Sequence, residues 1–129
     1  MTTVFIAHPI GAPTAYGVAT NVESVLAIIN QIYETERDVH PIAPYIAAVM
    51  ALDENNPIHR NWGLSCNEDL LWQLCSSGIV SEVRLYGDRV TEGMQVEVAV
   101  ARKCGVSVVG MTAETKLWLD ATKYKYVWL

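Results

Sequence analysis

"YGDRVTEGMQVEVAVARKCGVSVVG", from Tyr86 to Gly110, decides how this chain folds. It reads as the end of a strand, a loop, a helix and a second strand. Thr91 is placed to cap a helix over Glu92 to Cys104, and Gly105 follows it where a left-handed residue commonly ends a helix. Val106 to Gly110 is apolar and β-branched, as a buried strand is. Strand, crossover helix and strand imply a parallel pair. One residue is out of keeping: Glu97 stands among Met94, Val96, Val98, Ala99, Val100 and Ala101 in a helix that is otherwise nearly all apolar.

Outward from this unit, the same alternation continues. Thr3 to His8 is a short apolar run ended by Pro9 and Gly11, which predicts a buried strand. Asn21 is a candidate cap for a helix over residues 22–36, with Val22, Val25, Ile28, Ile29 and Ile32 on one face. Val39 to Ile42 is a weaker strand and Pro44 to Leu52 an apolar helix. Pro57 is able to open a helix, but Gly63 interrupts that pattern, and Asn67 to Cys75 is the firmer segment. Ser81 to Tyr86 is a strand, Thr112 to Tyr124 an amphipathic helix, and Tyr126 to Leu129 an apolar tail or edge strand. The order βαβααβαβα predicts an α/β domain spanning residues 1–129, a parallel sheet with helices on both faces. In such sheets ligands bind beyond the carboxyl ends of the strands. There the sequence puts His8, Ile10 and Gly11, then Pro44 and Tyr45, then Gly87, Asp88 and Arg89, then Gly110 and Met111.

Composition narrows the possible ligands. Of 129 residues, 51% are hydrophobic and 18% charged, which suits a globular core rather than disorder. A net charge of -5 argues against polymeric nucleic acid, which needs a basic face, but leaves room for a small phosphorylated ligand held by backbone amides. Cys66, Cys75 and Cys104 are odd in number and match no zinc spacing, so they are expected to be reduced thiols in a cytoplasmic protein. The chain shows neither a signal-peptide pattern nor a membrane-length apolar run. His8, His40 and His59 form no metal pattern with a cysteine, so no metal is expected.

Several residues admit two readings. Thr91, Glu92, Gly93 and Met94 at a helix start could bind an anion, although a plain N-cap accounts for those four residues more simply. Glu97 is either an exposed residue at the helix edge or a carboxylate held against a cavity, where partial burial would raise its pKa and suit it to acid, base or nucleophilic work. Asp69 follows Glu68 in a first turn, where acids favour the helix dipole, and Asp88 with Arg89 suits a turn.

The pattern of Gly87 and Asp88, then Thr91, Gly93, Met94 and Glu97, then Ala99, Ala101 and Gly105, resembles the nucleoside 2-deoxyribosyltransferase-like superfamily, in particular its short bacterial and phage-type members. The resemblance covers about Val4 to Val109. It implies a flavodoxin-like, Rossmann-like three-layer sandwich with four to five parallel strands. It also implies cleavage or transfer at the N-glycosidic bond of nucleosides or nucleotides, with Glu97 as nucleophile and no cofactor. Asp88, Asp69 or Glu82 would be the assisting acid. His8, Ile10, Gly11, Asn21, Ser81, Gly87, Thr91, Gly93 and Met94 would line the substrate site. Ser81 departs from the pattern, which commonly has an aspartate entering that strand. The rival expectation is a non-catalytic protein that sequesters or senses a nucleotide-like ligand. A homo-oligomer is also expected, with an interface near Trp72 or over Pro44 to Leu52, since Trp62, Trp72, Trp118, Tyr124, Tyr126 and Trp128 are many aromatics for one small core.

Overall fold

The computed structural model describes residues 1–53 and 55–122. Four strands form one all-parallel sheet: β1 (Thr2–Ala7), β2 (Val39–Ile42), β3 (Val80–Leu85) and β4 (Ser107–Gly110), in the spatial order β2-β1-β3-β4. Five helices connect or follow them: α1 (Ala15–Thr35), α2 (Tyr45–Ala51), α3 (Pro57–Ser76), α4 (Glu92–Lys103) and α5 (Ala113–Thr122). The element order and the flavodoxin-like three-layer architecture are those expected from the sequence. Residues 124 and 126–129, expected as a helix end and a tail, lie outside the described residues.

Alternation along β1 builds the two interior layers. Val4 and Ile6 face Val25 and Ile32 of α1, with Val39 of β2. Phe5 and Ala7 point the other way, joining Leu71 and Cys75 of α3 and Met94, Val98, Val100 and Ala101 of α4. Successive strand side chains must take opposite faces, so a run buried on both sides is apolar throughout. In register, Phe5 lies between Ile42 and Val83, and Val83 lies beside Val108. From β1 the chain steps outward to β2, then crosses to the far side of β1 to make β3. The strand order therefore reverses between β1 and β3, and the loops that leave these two strands diverge over a crevice.

Two helices differ from expectation. Helix α1 begins at Ala15, where Thr14 caps it and its Oγ1 accepts from the Gly17 N–H at 3.0 Å. Asn21 therefore sits inside α1 rather than at its start, and its Nδ2 donates to the Ile10 carbonyl at 2.9 Å, tying down the loop after β1. Helix α3 runs unbroken for 20 residues through Gly63, with Asn56 as its cap. Gly63 does not end it: an interior glycine costs only about 1 kcal/mol against alanine, and the position faces α2, where a Cβ would make ordinary contact, 3.6 Å from Ala48 Cβ and Leu52 Cδ1.

The crevice is braced where the loop after β3 meets the loop after β1. Gly87 has φ 94°, and a Cβ there would come within 2.6 Å of Cδ of the buried Pro9 ring. Gly105, with φ 72°, ends α4 with nothing within 4 Å of the same notional atom. The pair separates conformational cost from steric cost. Gly105→Ala should destabilise by about 1–2 kcal/mol, the expense of a left-handed non-glycine residue. Gly87→Ala should lose roughly 1–3 kcal/mol more through overpacking against Pro9. Urea unfolding of both variants checks this, and equal losses would mean that the Pro9 contact relaxes freely.

Candidate functional site

The crevice opens into a cavity of about 700 Å³. Its walls come from the loop after β1, from α2, from α3 and from the first three turns of α4. On α3 the lining residues are Arg60, Gly63, Leu64, Asn67, Glu68 and Leu71. These positions share one helical stripe, since residues three and four apart are neighbours on the helix surface. On α4 Gly93, Val96, Glu97 and Val100 form the matching stripe, and Tyr45, Ala48 and Val49 of α2 close one side. The wall is mostly apolar with a few polar groups that converge, the usual make-up of a small-molecule site.

Glu97 is at the bottom of this wall. Only 6% of it is exposed, and it lies between the buried Met94, Val98 and Ala101 on its own helix. The exposed-edge reading is therefore excluded. Asn67 Nδ2, from the facing stripe of α3, donates to Glu97 Oε2 at 2.9 Å. Desolvation pushes the Glu97 carboxyl up to about 8, with the Asn67 hydrogen bond opposing that rise. At neutral pH the unliganded side chain is thus mainly the neutral acid. The Tyr45 hydroxyl donates to the Ile6 carbonyl at the end of β1, and its ring packs on Phe5. Burial first, and then the nearby Glu97 charge, hold its phenol well above the ordinary range.

At the start of α4, Thr91 Oγ1 accepts from the Met94 N–H at 3.3 Å. That amide is engaged by the cap and is not directed at the cavity. Gly93 stays open: a Cβ there would meet only Thr91 Oγ1, at 3.9 Å. The Arg60 guanidinium reaches over the first loop, 3.1 Å from where a Gly11 Cβ would be. His8 directs Nδ1–H at the Pro9 carbonyl, 2.6 Å away.

Of the residues expected from sequence, His8, Ile10, Gly11, Thr91, Gly93, Met94 and Glu97 line the cavity together. Asp69, Asp88, Asn21, Ser81 and Gly87 do not. Asp69 points off the stripe and accepts from Gln73 on the outer side of α3. Asp88 has 77% of its side chain exposed and pairs with its neighbour Arg89. Ser81 lies at the start of β3, with its hydroxyl on the Thr3 carbonyl, at the amino end of the strands and so away from the crevice. Asn21 and Gly87 support the loops instead. The acids that do line the cavity beside Glu97 are Glu68 and Glu92, both exposed. Asn67 and Arg60 are polar lining residues that sequence reasoning missed, whereas Tyr45 lies where the sequence put it, beyond a strand end. The seven-residue spacing of Arg60 and Asn67 would have put them on one face, had Gly63 not been taken as a break. Among the described residues no group of three or more His, Cys, Asp and Glu could hold a metal ion, and no helix is long and apolar enough to cross a membrane.

Burial of Glu97 makes stability depend on pH with a defined sign. Its pKa is higher folded than unfolded, so the folded state binds the extra proton between about pH 4.5 and 8. Its contribution is complete below that window and is lost as pH rises through it, at up to about 1.4 kcal/mol per pH unit. Glu36, held down mainly by its hydrogen bonds from Arg84, shifts in the opposite direction and titrates below the window. Glu97→Gln should therefore gain on the wild type steadily from pH 5 to pH 8 in urea unfolding. Parallel pH profiles for the two proteins would rule out a buried titrating group at this position.

No curated protein and no solved structure matches the chain. A family model, described as a domain of unknown function (DUF7768), matches residues 2–111. That span takes in all four strands and every residue that lines the cavity. The chain belongs to the DUF7768 family, and the crevice built around Glu97 lies wholly inside the domain that defines it.

Proposed function

We propose that this chain binds a nucleoside or nucleotide in the cavity and cleaves its N-glycosidic bond, with Glu97 as nucleophile. The observation that carries the reading is a nearly dry glutamate, facing an apolar cavity where the strand order reverses. A carboxylate there attacks the anomeric carbon as the bond to the base breaks, giving a glycosyl ester. Water or a second base then displaces the ester and returns the carboxylate. The departing base takes its proton from water at the cavity mouth, where Glu68 and Glu92 line the rim, since Asp69 and Asp88 do not line the cavity. The sugar and base fit against Leu64, Leu71, Met94 and Val100, and a 5′-phosphate would meet the open Gly93 backbone and Arg60.

Only the ionised form of Glu97 can attack, and its pKa is pushed up to about 8. Base release should therefore rise close to tenfold per pH unit below that value and level off above it. Glu97→Gln should lower the rate by several orders of magnitude. Chromatographic detection of free base, from a panel of nucleosides, deoxynucleosides and their monophosphates, is the test. Release that persists in Glu97→Gln would end the nucleophile assignment.

The neutral resting state of Glu97 favours a second reading, a binding protein in which the acid O–H donates to a ligand acceptor. Glutamine also donates, so on that reading Glu97→Gln keeps its ligand-induced thermal shift and the wild type releases no base. The proposal extends to a homo-oligomer, because Met50, Ile58, Trp62 and Trp72 on α2 and α3 remain exposed. Light scattering at micromolar concentration should give at least twice the 14.3 kDa chain mass, and a monomeric mass would remove this part.

A further inference from the structure

Asn67 presents an unfinished account. Its Nδ2 is engaged by Glu97 Oε2 at 2.9 Å. Its Oδ1 is fully buried and, among the described residues, has no partner. A buried polar atom without a partner is costly, and in folded proteins such atoms are few. Asn67 sits in the cavity-facing stripe of α3, opposite the one carboxyl that lies inside the apolar wall. A neutral carboxylic acid needs an acceptor for its O–H, whereas a carboxylate needs donors. One primary amide contains both.

We propose that Asn67 is a positioning residue that matches both proton states of Glu97: its Nδ2 donates to the carboxylate, and a half-turn of the amide presents the spare Oδ1 to the carboxylic acid. No atom enters or leaves in the turn; the hydrogen bond reverses direction as the Glu97 proton comes and goes. The other charged or titratable groups that face the cavity are His8, Tyr45, Arg60, Glu68 and Glu92. The Tyr45 hydroxyl is committed to the Ile6 carbonyl and His8 Nδ1 to the Pro9 carbonyl. Glu68 and Glu92 lie at the exposed rim. Asn67 is the side chain with an engaged donor and a spare acceptor at the carboxyl itself. The inference concerns the site of the proposed reaction but needs no substrate for its test, so its failure and the failure of that reaction are separable.

The experiment is an NMR pH titration of the full chain without ligand, from pH 5 to pH 9. It follows the Glu97 side-chain carboxyl carbon, assigned by its loss in Glu97→Gln, and the Asn67 side-chain amide, assigned by its loss in Asn67→Asp. In the wild type both signals should move with one shared midpoint. Asn67→Leu should raise the Glu97 midpoint by about one pH unit, because the hydrogen bond to the charged form is the stronger of the two that are lost. If Asn67→Leu fails to fold, the wild-type titration still decides. An Asn67 amide signal that stays fixed while Glu97 titrates overturns the proposal. So does an amide that moves only when a nucleoside is added, which would assign Oδ1 to the ligand. A Glu97 midpoint unchanged in folded Asn67→Leu overturns it as well.

Discussion

A carboxyl group held nearly out of water between two helices is the constraint around which this molecule is arranged. Glu97 could be avoided by any other residue of similar size if α4 had only to pack, since the stripe it occupies is otherwise apolar. Its presence there requires a partner on the facing helix, and Asn67 of α3 is that partner. For Asn67 to arrive, α3 must lie close along α4. For α3 to lie so, it must continue without a break from the cavity mouth to the core, where Leu71 and Cys75 anchor it. At Gly63 the same helix also meets α2. Each step follows from placing one ionisable group where little water reaches.

The sheet supplies the space. A parallel sheet whose strand order reverses between β1 and β3 leaves a crevice at the carboxyl ends, and the loops leaving those strands bound it. Here the two loops touch through Pro9 and Gly87, and Asn21 anchors the first of them from inside α1. The site's floor is therefore tied both to the sheet and to the helix layer behind it. The opposite face carries its own polar link. Arg84 of β3 is bound to Glu36, just past α1, at 2.8 Å and to Glu82 at 2.6 Å, fixing the rear helix to the central strand.

Much of the architecture was legible because the strands are short, apolar and punctuated by proline and glycine, and because α4 carries a clear cap and stop. Glu97 was legible as an anomaly, since a lone acid in an apolar stripe conflicts with its surroundings. Its partner was not. The cavity-facing stripe of α3 reads Arg60, Gly63, Leu64, Asn67, Glu68 and Leu71. A helix that faces a cavity on one side and solvent on the other has no clean apolar stripe, so the periodic signal of a core helix is absent. Glycine then looked like a terminator, although the helix runs through it beside Ala48 and Leu52 at a cost of about 1 kcal/mol. Asp69 and Asp88 attracted notice for being acids near the right segments, but helical phase takes one outward and the loop leaves the other in solvent. Asn21 had the composition of a cap and the role of a clamp, a difference that only the long-range contact to Ile10 reveals.

The single stripe on α3 also constrains the length of the chain. Each residue advances a helix by about 100°, so adding or removing one residue between Gly63 and Asn67 would turn everything beyond it out of phase. The helix itself would persist, and so would its length to within about 1.5 Å. Yet Asn67 would swing off Glu97, and Leu71 would leave the core that holds the far end. Substitutions along this segment can be absorbed one at a time, whereas a frame change within it cannot. Over the interval from Arg60 to Leu71, residue count is therefore as much a part of the site as residue identity.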